Sequence, residues 1–99
     1  MTVWHNCLVD VVYYDERPAL LRDEGYQIKI DDHEIVVSYQ DEDGWVEYRG
    51  KNNGDGHFQL AAPERKGKAS LHRFLPDGEI LEGYWQEEGH QGMWRITLK

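Results

Sequence analysis

Cysteine is almost missing from this chain. Cys7 stands alone, so no internal disulfide is available. Small secreted domains usually carry several, and one thiol points instead to a reducing cytoplasm. No basic start or apolar leader follows Met1, and the compactness fits a bacterial source. No apolar run approaches the length of a membrane span. Basic residues are scarce, with 11 Lys and Arg against 19 Asp and Glu and a net charge of −8. That balance disfavours binding to nucleic acid. The one basic cluster, Arg65, Lys66 and Lys68, reads as a solvated turn.

Reaction chemistry is also short of parts. The chain has two serines, Ser38 and Ser70, and no Gly-x-Ser-x-Gly elbow. Cys7 falls within a strand-like run, where nothing activates a thiol. The five histidines, His5, His33, His57, His72 and His90, are scattered singly, without the spacing of a metal site. Asp41-Glu42-Asp43-Gly44 resembles a fragment of a calcium loop but lacks the remaining ligands, and reads as a hairpin turn. These absences imply no metal, no cofactor and no enzyme activity.

Aromatic residues are abundant, with four Trp and six Tyr among 99 residues. That is enough to build one core, so the chain reads as a single domain over residues 1–99. From Tyr26 onward, short alternating apolar runs recur between turns. Asn52-Asn53-Gly54-Asp55-Gly56 and Leu75-Pro76-Asp77-Gly78 are two of these turns. The pattern predicts an all-β antiparallel meander. Val3 to Tyr14 adds a long first strand and makes about eight. Eight strands in sequence order can close into a small barrel by pairing the first with the last, which removes exposed edges. Pro18 to Gly25 reads as a short helix over residues 18–24, with Leu20 and Leu21 plugging one end of the barrel.

The stretch from Leu81-Glu82-Gly83-Tyr84-Trp85 to Gly92-Met93-Trp94-Arg95-Ile96 resembles the closing hairpins of calycin-type barrels, the lipocalin and avidin group. The resemblance covers roughly residues 44–98. Val3-Trp4-His5 stands where a lipocalin has its first Gly-x-Trp, and no biotin-binding set maps onto the chain. The resemblance implies a barrel able to bind a ligand or a partner.

Strand alternation supplies two candidate sites. Inward parity from Ala69 and Leu71 takes in Arg73, and inward parity from Val3 and Cys7 takes in His5. Beside Trp85 and Trp94, these would orient a small apolar or anionic guest. Outward parity instead gathers Trp4, Leu8, Val12, Ile80, Tyr84 and Met93 into one apolar outer patch. A soluble monomer rarely exposes such a patch, so a protein partner or a second copy of the chain is expected on it. This makes a non-enzymatic interaction module the leading expectation, with small-molecule binding the alternative. A third possibility follows from the charge, because residues 1–50 hold twelve acids against four basic residues. An acidic surface of this kind could occupy a basic, nucleic-acid-binding protein.

Overall fold

In the computed structural model, residues 2–14 and 19–99 are described. Eight strands follow one another in order: β1 (Thr2–Tyr13), β2 (Ala19–Ile30), β3 (Glu34–Asp41), β4 (Gly44–Lys51), β5 (His57–Ala62), β6 (Gly67–Arg73), β7 (Ile80–Glu87) and β8 (His90–Thr97). Each strand pairs antiparallel with the next, and β8 returns to β1, so the sheet closes. The fold is the eight-stranded meander barrel expected from the alternation. A single 3₁₀ turn, Pro63–Arg65, links β5 to β6.

The inward rows are those that the alternation marks. Cys7, Val9, Val37, Tyr48, Leu71, Leu81 and Ile96 are fully buried, with Trp85 and Trp94 nearly so. The buried residues form one cluster along the barrel axis. Where two staves approach closely, the inward residue is glycine. A Cβ on Gly83 would land on the backbone of Ser70, and one on Gly67 would meet the Tyr48 phenol.

The expected helix over residues 18–24 does not form. Ala19 to Asp23 pair with Tyr13 to Val9 as part of β2. Pro18 lies outside the described residues. The physical reason is the length of β1. A helix of two turns carries the full cost of nucleation for few hydrogen bonds. The same residues used as a strand cover the edge of a twelve-residue neighbour. Leu20 and Leu21 do not plug the barrel but are exposed. Gly25, at φ +80°, is no helix cap. It occupies the point where the β1–β2 register shifts between Cys7 and Val9, which makes it a bulge residue.

A second irregularity overturns the parity of early β1. Trp4 pairs with Ile28 and Cys7 with Tyr26, so β1 carries one extra residue between them. The bulge turns Trp4 toward the core and leaves His5 exposed. A strict two-residue period cannot anticipate that switch.

Candidate functional site

One end of the barrel gapes. The β2–β3 ladder runs only from Ile30↔Ile35 to Gln27↔Ser38 and then stops. Above that point β2 and β3 part, and a cavity of about 490 Å³ opens between them and down to Trp94. This volume lies in the range of small-ligand sites. Its aromatic lining is Tyr13, Tyr26, Tyr39, Trp45, Trp85 and Trp94. Its acidic lining is Asp23, Glu24, Asp41 and Glu87, and among the described residues no Lys, Arg or His lines it.

The chain's irregularities build this arrangement. An unbroken two-residue period would carry the inward row of Ile28 and Tyr26 through Glu24 and Arg22, but Gly25 is an extra residue. With it, Asp23 pairs with inward-facing Val9 and reaches the cavity. Glu87 arrives by plain alternation, two residues beyond Trp85 on β7. It is half-buried and accepts two phenol hydrogen bonds on one oxygen. The Tyr39 hydroxyl donates to Oε1 at 2.6 Å and the Tyr48 hydroxyl at 2.5 Å.

The rings form a connected set. Tyr26 stacks on Tyr39 with centroids 5.1 Å apart, and Trp85 stacks on Trp94 at 6.2 Å. Tyr48 meets Trp94 edge-on at 5.1 Å, and Tyr13 meets Trp85 the same way at 5.1 Å. Such contacts fix ring orientation before any guest arrives. Burial pushes the phenols of Tyr26, Tyr39 and Tyr48 well above the ordinary tyrosine range. The bond to Glu87 adds to the effect on Tyr39 and Tyr48, and the charge of Asp23 adds to that on Tyr26. All three therefore stay protonated, with Tyr39 and Tyr48 acting as donors. At the rim, Arg65 pairs with Asp41 at 2.8 Å, which holds the Asp41 carboxyl below the usual range.

The four residues expected to hold a guest do not come together. Trp85 and Trp94 line this cavity. Arg73 does lie on the inward row of β6, but at the opposite end of the barrel. There its Nε donates to the Gly78 carbonyl at 2.8 Å, and its guanidinium lies 5.8 Å from the Trp4 ring centroid. His5 is on the outside. The apolar cup with an inward basic group thus separates into an acidic aromatic mouth and a distant, satisfied arginine. Glu87, Asp23 and the tyrosines were missed. Glu87 could have been read from Trp85 by counting two, whereas Asp23 depended on the Gly25 bulge.

The outer patch also divides. Trp4 leaves it through the β1 bulge. Leu8, Thr97 and Ile80 form one cross-strand row, and Val12, Met93 and Tyr84 form another. Between them runs a charged row, Asp10, Arg95 and Glu82. Arg22 extends it from β2, with its Nε 2.8 Å from Asp10. The acids of the first half split as well. Asp31, Asp32 and Glu34 lie at one end of β3, while Asp41, Glu42 and Asp43 lie at the other.

Among the described residues, no group of three His, Cys, Asp or Glu side chains could hold a metal ion. His57 and His72 do meet, with Nδ1 atoms 2.7 Å apart on the exposed outer face. No helix among the described residues is long and apolar enough to cross a membrane. No protein-family model and no curated protein matches the chain.

Proposed function

We propose that this chain is a non-enzymatic binding barrel that takes a small ligand into the mouth between β2 and β3. The single observation behind this reading is the 490 Å³ cavity with six aromatic residues in its lining. Aromatic side chains around a pre-shaped opening are what a ligand site needs, and a barrel of this size otherwise fills itself with side chains. The up-and-down strand order and one open end suit the calycin-like resemblance. The free, buried Cys7 suits a reducing compartment.

The test is a fragment screen by amide chemical-shift mapping on the isotope-labelled chain, with neutral, cationic and anionic fragments in equal number. Binding in the mouth shifts the amides of Tyr13, Tyr26, Tyr39 and Glu87 together. If no fragment of any charge moves them, the reading is overturned.

A second reading, self-association, keeps one observation in its favour. Leu20, Val12, Met93 and Tyr84 are joined by cross-strand pairing into a single apolar row over β2, β1, β8 and β7. Leu20 is 67 % exposed. A second copy laid along that row would cover it. Light scattering on the wild-type chain and on a Leu20→Ser/Met93→Ser variant decides it: a dimer that the double substitution turns into a folded monomer supports the row, and a wild-type monomer removes it.

A further inference from the structure

We propose that the ligand class of the mouth is a small organic ammonium ion, held by aromatic rings and by the carboxylates of Glu87, Asp23 and Glu24. The inference rests on the ligand-binding reading above and adds the charge of the guest.

Three observations converge. The first is the sign of the lining, which among the described residues carries four carboxylates and no basic side chain. Asp41 is already paired with Arg65. Among the described residues no Lys, Arg or His forms an ion pair with Glu87, Asp23 or Glu24, and the described lining is net negative. An anionic guest would be repelled there, and a neutral guest would leave that charge unused.

The second is the partnering of Glu87. Both phenol donors converge on Oε1. Two short bonds fix the carboxylate in place, and its other oxygen has no hydrogen-bond donor among the described residues. A carboxylate positioned in this way costs little further ordering when a cation arrives. The third is the aromatic wall. Rings attract a cation through their quadrupole, most strongly when water is displaced, and a cluster of rings is the usual receptor for an alkylated ammonium. Trp85, only 4 % exposed, lies in that wall, and its indole N–H meets no acceptor among the described residues.

The arrangement differs from a bare cluster of surface acids. Asp41, Glu42 and Asp43 in the β3–β4 turn are that kind of cluster, and only Asp41 touches the cavity. The proposal stands on the concave site, where carboxylates and rings face one volume.

Three probes of one shape test it on the intact chain: choline, its neutral isostere 3,3-dimethylbutan-1-ol and the anion 3,3-dimethylbutanoate. Calorimetry and amide shifts are read for each. The expected result is that choline binds at least about tenfold more tightly than the neutral isostere, with shifts at Tyr26, Tyr39 and Glu87. The anion should not bind. Glu87→Gln should reduce the preference for choline over the isostere to a few-fold. A thermal unfolding scan confirms that the variant remains folded. Equal binding of choline and the isostere would overturn the ammonium class and leave the ligand cavity standing. Shifts from none of the three, with neutral fragments also silent in the screen above, would remove both.

Discussion

Removing the Tyr48 hydroxyl is the sharpest test of how the mouth is built. Tyr48 is fully buried, and its hydroxyl donates to Glu87 Oε1 while Tyr39 donates to the same atom. A hydrogen bond to a charged group contributes about 1.5–3 kcal/mol. Glu87 is half-exposed and keeps the Tyr39 donor, so the lower end applies, and Tyr48→Phe should cost about 1.5 kcal/mol. For a domain of this size that corresponds to a fall in Tm of roughly 7 °C. Tyr39→Phe should cost less, since that ring is only partly buried. The double variant should cost more than the sum by about 0.5 kcal/mol, because Glu87 then loses every protein donor. Urea unfolding followed by tryptophan fluorescence measures all three. If Tyr48→Phe falls within about 0.3 kcal/mol of the wild type, the shared acceptor is not holding the mouth together and the argument for a fixed carboxylate fails.

Other outcomes follow from the same geometry. Gly83→Ala places a Cβ on the Ser70 carbonyl, so it should destabilise by about 2–3 kcal/mol or prevent folding, as read by denaturant titration. Deleting Gly25 should remove the bulge but keep Asp23 opposite Val9, so it should destabilise less than Gly83→Ala. Circular dichroism and expression yield would report it. His5→Ala should change stability by less than about 0.5 kcal/mol, since the bulge leaves that ring outside. High pH should unfold the protein. The folded-state values of Tyr26, Tyr39 and Tyr48 lie above the unfolded value of 10.0, so their contribution is complete below that pH and is lost as pH rises beyond it. Three of the six tyrosines should then ionise only with the loss of near-ultraviolet circular dichroism, and phenolate absorbance from more than three before unfolding would contradict the assignment.

Most of the fold was legible because alternation is local. Tyr26, Ile28, Ile35, Val37, Trp85 and Trp94 announce their inward parity within their own strands, and the turns between them announce the hairpins. Three of the failures share one cause. His5, Trp4 and Asp23 all lie within reach of the two bulges that offset β1 against β2, whereas the expected helix gave way to the long edge of β1. A bulge is a property of the pair of strands, since the extra residue is extra only relative to a partner. The candidate site was half legible for the same reason. Trp85 and Trp94 were placed correctly by period alone; of the charge around them, Glu87 lies on that same period, whereas Asp23 comes only after a bulge. Arg73 shows the converse. Its inward parity was right, but nothing local showed that the Gly78 carbonyl would satisfy it at the far end.

The short β2–β3 ladder has a consequence for motion. The neighbouring β3–β4 and β7–β8 pairs are joined along their whole length, while β2–β3 and β4–β5 share four and two paired positions. A barrel joined so unevenly behaves as rigid panels connected along two weak lines. One of those lines borders the mouth. The panels carrying Asp23 and Tyr39 can swing apart or together with few backbone hydrogen bonds broken, so the opening can breathe while the hydrophobic floor stays intact. Amide exchange should therefore be fastest along Tyr26 to Ser38 and slowest across the β7–β8 hairpin.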